Sequence, residues 1–209
     1  MTATPMPSPP LTAADVEIIE RTTRYQGYFR IDRYRLRHKL FAGGWTGEVM
    51  RELFERGHAA AVLPYDPRHD RVALVEQFRI GAHAAGRPPW VIEIVAGIIE
   101  DGEEAAEVVR REAVEEAGVT LTALQPVQRV LASPGGTSET CMIYCGRADL
   151  TGAGGIHGLA HEHEDIRVLV LPTAEALKLL DDGRIENATA VIALQYLALH
   201  RGRLRRMWS

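Results

Sequence analysis

The residues most able to do chemistry lie between Glu93 and Glu116. This stretch carries nine acids (Glu93, Glu100, Asp101, Glu103, Glu104, Glu107, Glu112, Glu115 and Glu116) and two bases (Arg110 and Arg111), a net of −7. Within it, Glu112, Glu115 and Glu116 are spaced i, i+3, i+4, which puts them on one face of a helix. At about 100° per residue, Ala105, Val109, Ala113 and Ala117 form a stripe beside that face. Glu112 and Glu116 therefore belong at the edge of the core, while Glu103, Glu107, Arg110, Arg111 and Val114 point outward. Carboxylates crowded there raise one another's pKa unless a cation intervenes. Oxygen-only ligands favour Mg²⁺ or Mn²⁺ over zinc. The plainer alternative is a solvated acidic helix face, which is what most charge runs are.

The wider spacing decides between these readings. Gly97, five residues, Glu103, seven residues, then Arg111-Glu112-Ala113-Val114-Glu115-Glu116-Ala117-Gly118-Val119 resembles the box of the Nudix hydrolases, Gly-x5-Glu-x7-Arg-Glu-U-x-Glu-Glu-x-Gly-U. Every fixed position matches; Ala113 is smaller than the usual bulky apolar residue. Beyond the box, Pro134 stands fifteen residues after Val119 in Ala132-Ser133-Pro134-Gly135-Gly136-Thr137-Ser138-Glu139. With Gly155-Ile156-His157-Gly158-Leu159-Ala160 and Glu162-His163-Glu164-Asp165, it is similar to the bacterial ADP-ribose pyrophosphatase subgroup, over most of the chain after the tail.

The resemblance implies an α+β fold, a Nudix α/β/α sandwich with a mixed sheet, preceded by a small N-terminal antiparallel sheet unit. It implies Mg²⁺-dependent (Mn²⁺ possible) hydrolysis of ADP-ribose to AMP and ribose 5-phosphate. The metal would be held by Glu112, Glu116, Glu164 and the Ala96 carbonyl, with the Gly97 loop letting backbone approach it. Glu162 would serve as general base, and Arg111 would orient Glu115. Substrate contacts would come from Tyr28, Arg51, Arg56, Arg79, Ile98, Ser133, Gly135 and Glu139. A homodimer with an exchanged N-terminal unit is implied as well. The alternatives are another nucleoside diphosphate sugar or NADH as substrate, or a non-catalytic sensor of ADP-ribose. An intact box speaks against the sensor.

These residues need elements to position them. Val16–Leu40 reads as extended, with Gly27 and Asp32-Arg33 as turns or bulges. Strands are expected at Glu48–Phe54, Ala59–Leu63, Val72–Gln77, Trp90–Ala96, Val127–Ala132, Glu139–Arg147 and Ile166–Leu171. The catalytic helix follows an Asp101–Glu104 capping box and ends at Gly118. Two more helices, Thr173–Leu180 and about Ala188–His200, are expected, the second ending near Gly202. The domain reading is a disordered tail over 1–12, an N-terminal sheet and dimerisation unit over 13–55, and a hydrolase domain over 56–209.

Composition excludes other classes. The 209 residues, 46% apolar and 25% charged, suit one or two globular domains. A net charge of −4 offers no global basic field for nucleic acid or anionic membrane. Arg201, Arg203, Arg205 and Arg206 read as a solvated helix end, since cations suit a helix C-terminus. Cys141 and Cys145 cannot build a disulfide scaffold or a complete zinc site; four apart on a strand they lie about 13 Å from each other. Reduced thiols, no apolar run near the roughly 20 residues of a span and no signal peptide pattern in MTATPMPSPP point to the cytoplasm. His157, His161 and His163 read as exposed loop residues.

Overall fold

The computed structural model describes residues 10–159, 161 and 163–208. The proline-rich tail through Pro9 and the expected base Glu162 lie outside them. The chain forms two compact units, one running through Arg56 together with Ser133–Ser138, the other Gly57–Ala132 with Glu139–Ser209.

The first unit is a three-stranded antiparallel sheet in the order β1 (Val16–Gln26), β2 (Arg30–His38), β3 (Val49–Glu55). Gly27 turns β1 into β2, donating its N–H to the Phe29 carbonyl at 2.9 Å. Asp32 is not the expected turn. It sits inside β2, 1% exposed, and accepts from Arg21, Thr23 and Arg30. Burial pushes its pKa up, but these donors outweigh it and hold the carboxyl below the usual range. The Ser133–Ser138 loop adds to β3: Phe54 N–H donates to Gly136 O at 2.8 Å, and Ser138 Oγ donates to Glu55 at 2.5 Å.

The second unit is built on an eight-stranded mixed sheet. Its continuous path runs β10 (Gly155–His157), β11 (Ile166–Pro172), β5 (Arg71–Phe78), β4 (His58–Asp66), β9 (Thr140–Arg147), β8 (Ala123–Leu131). Only β4 and β9 pair in parallel among these neighbours. β4 and β5 pair only at Tyr65–Val72 and Asp66–Arg71 and then diverge. The expected single strand Trp90–Ala96 fills that split as two. β6 (Trp90–Glu93) pairs with β5, and β7 (Val95–Ile99) pairs with β4, the switch falling at Ile94. Gly97 is thus a strand residue, opposite Ala60, and not in a loop.

Alternation along the central strands buries both faces. Ala61, Leu63, Tyr65, Val72 and Leu74 pack in one cluster with Ala176 of α3 (Thr173–Asp181) and with Leu194, Leu197, Leu204 and Trp208 of α4 (Ala188–Trp208). Ala60, Val62, Ala73 and Val75 pack in the other with Val108, Val109, Ala113 and Ala117 of α2 (Ala105–Ala117). This is a helix–sheet–helix sandwich. A short helix, α1 (Ile80–Ala84), follows β5. The last helix does not end near Gly202. Buried Leu204 and Trp208 carry it two turns further, and Arg201 donates to Asp70 at 2.8 Å, so this end is packed and not merely solvated. Trp208 and Tyr65 ring centroids lie 6.5 Å apart.

Candidate active site

The acidic helix is α2. Its start lies later than the capping-box pattern suggests: Glu104 is the N-cap and makes no side-chain cap bond. Asp101-Gly102 forms the preceding turn, where Glu103 accepts from Glu100 N–H at 3.0 Å. The helix ends as expected at Gly118, whose φ of 62° is a left-handed conformation that glycine adopts without strain. Gly118 N–H donates to Val114 O at 3.0 Å, the single bond of an αL cap, and Val119 N–H reaches back to Ala113 O at 2.9 Å. His157 of β10 packs on Gly118, where a Cβ would lie 2.6 Å from its ring; it is half-buried and bonded to Gly154 O, not an exposed loop residue.

The box carboxylates press against β7. A Cβ on Gly97 would lie 2.3 Å from Glu112 Oε1, so the glycine leaves room for the Glu112 carboxylate on the strand backbone. Its φ is not left-handed, and space is the reason for the residue. Glu116 is 3% exposed and accepts from Ala96 N–H at 3.1 Å. In an antiparallel strand a residue's N–H and C=O leave on the same edge. The Ala96 carbonyl therefore shares the edge at which Glu116 sits. Burial pushes the Glu116 pKa up to about 8; the Ala96 bond lowers it, Glu112 and Glu164 raise it further, and Arg79 lowers it.

Glu164 is thus close enough to bear on Glu116. It is held by its own loop, accepting from Leu159 N–H at 3.1 Å. Gly158 makes that close approach possible, since a Cβ there would meet Glu164 at 2.7 Å. Arg111 lies 3.1 Å from Glu112, 3.4 Å from Glu103 and 3.9 Å from Glu115, so its nearest carboxylate is Glu112. Arg79 is fixed by Glu93, which takes its Nε at 2.9 Å and its Nη2 at 2.8 Å. Buried Glu93 also accepts from Asn187 Nδ2 at 2.9 Å. Sequence reading missed Asn187; its position just before the last helix was the available signal, since it also caps Ala190 N–H at 3.0 Å.

The structure brings Ala96, Glu112, Glu116, Glu164, Arg79, Arg111 and Glu115 together on β7, α2 and their neighbours. Ile98 lies on β7 as well, 38% exposed, and Glu139 precedes β9. In the first unit, Tyr28 is 85% exposed and its ring meets Phe29 edge-on at 4.7 Å. Arg56 stands over that same Phe29 ring at 5.8 Å. Arg51 on β3 donates to Met50 O at 2.8 Å. Ser133 O accepts from Gly136 and Thr137 at 3.0 Å, closing the turn that contains Gly135.

A buried carboxylate beside two others is costly to ionise without a cation. Oxygen ligands of this kind fit a hard divalent metal, so the residues present suit the ion that the box implies.

Comparisons agree with the geometry. A NUDIX domain model matches residues 55–193. An ADP-ribose pyrophosphatase of Escherichia coli strain K12 is 53% identical over 195 residues, 93% of each chain. One from Haemophilus influenzae is 45% identical over 198 residues, 93% of this chain and 91% of its own. A GDP-mannose pyrophosphatase of Cronobacter sakazakii is 35% identical over 191 residues, 88% of this chain and 96% of its own. A crystal structure of an ADP compounds hydrolase superposes with a TM-score of 0.71 at 20% identity, covering 95% of this chain and all of that one. With its box carboxylates gathered on α2 against β7, the chain belongs to the Nudix family.

Proposed function

We propose that the protein is a Mg²⁺-dependent ADP-ribose diphosphatase, with Mn²⁺ as a possible substitute. Water attacks the diphosphate, and the products are AMP and ribose 5-phosphate. The observation that carries this reading is full-length similarity to ADP-ribose pyrophosphatases, 53% over 93% of the chain, with every box residue in place.

Glu112, Glu116, Glu164 and the Ala96 carbonyl would hold the metal. When bound, the ion neutralises the diphosphate and acidifies the attacking water. Glu162 takes the proton of that water as general base. Arg111 holds the box carboxylates in register through charge-assisted bonds, with Glu115 among its partners. Arg79, fixed by Glu93, directs a cation toward the anionic substrate. Tyr28 and Arg56 present a stacking surface for the base. Arg51, Ile98, Ser133, Gly135 and Glu139 complete the substrate contacts.

The domain reading is a tail over 1–12, an N-terminal sheet and dimerisation unit over 13–55, and a hydrolase domain over 56–209. The protein acts as a homodimer with exchanged N-terminal units. Two cysteines without a disulfide support a cytoplasmic location, and among the described residues no helix is long and apolar enough to cross a membrane.

Purified protein incubated with ADP-ribose and Mg²⁺ should release AMP. Binding of ADP-ribose without AMP release would leave a sensor in place of an enzyme. The 35% identity to a GDP-mannose pyrophosphatase makes GDP-mannose the competing substrate to run beside NADH. A higher kcat/KM for either would overturn ADP-ribose as the main substrate.

A further inference from the structure

The carboxylates proposed to share one cation come from two places in the chain. Glu112 and Glu116 ride on α2. Glu164 lies in the connection between β10 and β11. Mg²⁺ takes oxygen ligands at about 2.0–2.1 Å in near-octahedral geometry, so the spacing of the two sources matters. β10 alone fixes little. It has three residues and stands at the edge of its sheet, paired with β11 only. Short edge strands have few backbone bonds and open easily.

What ties β10 to α2 is His157. Gly155 and Ile156 are exposed, while His157 is half-buried and its ring rests on Gly118, the C-terminal cap of α2. Only a glycine leaves room for it, since a Cβ on Gly118 would lie 2.6 Å from the ring. The ring is also fixed in rotation. Its Nε2 lies 3.0 Å from Gly154 O, and a carbonyl only accepts, so Nε2 carries the proton. From His157 to Glu164 the path is short. Gly158 follows at a φ of 99°, and Glu164 packs directly on it: a Cβ there would meet Glu164 Cβ at 2.7 Å. Leu159 then exchanges two bonds with Glu164. Its N–H donates to Glu164 Oε2 at 3.1 Å, and its carbonyl accepts Glu164 N–H at 3.3 Å. Glu164 therefore moves with Gly158, and Gly158 with His157.

We propose that His157 is a positioning residue for the metal site: its ring, wedged between the end of α2 and the neck of the β10–β11 connection, sets how far Glu164 stands from Glu112 and Glu116. The proposal rests on the reading of those three carboxylates as ligands of one divalent cation. His157 acts through Glu164 and is not itself a ligand; its Nε2–H is committed to Gly154 O. Gly118 and Gly158 are the two positions at which any side chain would push these parts away from each other.

The test is Mn²⁺ binding by the full chain without substrate, followed by the electron paramagnetic resonance signal of the free ion. Glu164→Gln should weaken binding as the loss of a ligand. His157→Ala should weaken it by about tenfold, the scale on which outer-shell partners tune a metal site. His157→Gln should recover most of that loss, because its amide nitrogen can reach Gly154 O and its bulk covers Gly118. Gly118→Asn approaches the same contact from the helix. Asparagine visits the left-handed conformation, so its main cost is the clash with the ring. It should weaken Mn²⁺ binding too, and adding His157→Ala should restore part of the affinity instead of adding a second loss. Melting curves in EDTA check that each variant is folded at the titration temperature; if His157→Ala is not, Gly118→Asn decides. Parent-like affinity in folded His157→Ala or Gly118→Asn, with affinity lost in Glu164→Gln, would overturn the positioning role and leave the ligand reading standing. Parent-like affinity in Glu164→Gln would overturn the ligand reading and the proposal with it.

Discussion

Glu116 shows how one buried side chain couples stability to metal and pH. Its pKa is raised from 4.5 to about 8, first by burial. A carboxyl raised in the folded state contributes stability that is fully present below pH 4.5 and is lost as pH rises through about 8. Metal-free protein in EDTA should therefore melt at falling temperature between about pH 5 and 8. In Glu116→Gln that slope should flatten, because the amide does not titrate. Parallel melting curves for the two proteins would rule this out. If Glu116 holds the proposed metal, affinity has the opposite trend, since the ligand must be ionised: Mg²⁺ should bind more tightly as pH approaches 8. Gly97 gives a second check. Gly97→Ala places a methyl where Glu112 now lies. The helix cannot shift, because Val109 and Ala113 are fully buried, so the carboxylate must swing. AMP release should drop at least tenfold, about 1.4 kcal/mol in barrier, with the far-ultraviolet spectrum preserved; full activity would refute the steric account. That Glu112, Glu115 and Glu116 share one helix face was legible from their spacing. The reason for Gly97 was not, because nothing in the sequence says which strand edge the helix rests on.

Two elements differ from their sequence patterns for one physical reason, tertiary partners. Trp-Val-Ile-Glu-Ile-Val-Ala reads as one apolar run, and an apolar run carries no register. Only the divergence of β4 from β5 makes it change neighbours at Ile94. That switch sets Glu93 at the end of β6 and Ala96 on β7, three residues apart and each at its own task. The last helix passes Gly202 because Leu204 and Trp208 have a core to enter, and burial of two such side chains, at about 1.5–3 kcal/mol each, exceeds the roughly 1 kcal/mol that a helical glycine costs. The mixed α+β pattern was legible from the strand runs and the helix stripe, whereas the sandwich followed from the resemblance that the box carries. Asn187 joins the last helix to the site, capping Ala190 and donating to Glu93. Asn187→Ala should cost about 1 kcal/mol of stability through the lost cap. Asn187→Asp keeps a capping oxygen but sets an anion beside Glu93. If Glu93 positions Arg79 for the substrate, both variants should raise KM for ADP-ribose more than they lower kcat. A fall in kcat at constant KM would place Arg79 outside substrate binding.

At the scale of the whole molecule, a net charge of −4 conceals a division of labour. The Glu93–Glu116 segment carries −7, and Glu162, Glu164 and Asp165 carry −3, leaving +6 on the rest of the chain. Such a body attracts an anionic substrate while its acidic site requires cations. The N-terminal sheet poses a different question. A three-stranded sheet buries little by itself, and isolated small sheets are marginal in water. Within the chain, Ile18 is 50% exposed, Tyr25 62%, Met50 46% and Phe41 96%. Apolar side chains concentrated on one small unit mark an interaction surface, and under the proposed homodimer a second copy of the same unit would be its occupant. The sheet was legible from its β-favouring residues; what covers it was not, since exposure has no sequence signature. Light scattering should return twice 23.1 kDa. Tyr25→Asp/Met50→Asp, on one face of the sheet by their pairing with Ile31 and Arg35, should shift the mass toward the monomer, because a carboxylate buried in an apolar interface is costly. If Tyr28 and Arg56 serve substrate across that interface, AMP release should fall with the dimer fraction on dilution. A monomeric parent with full activity would show that one chain suffices and that the exposed sheet serves some other contact.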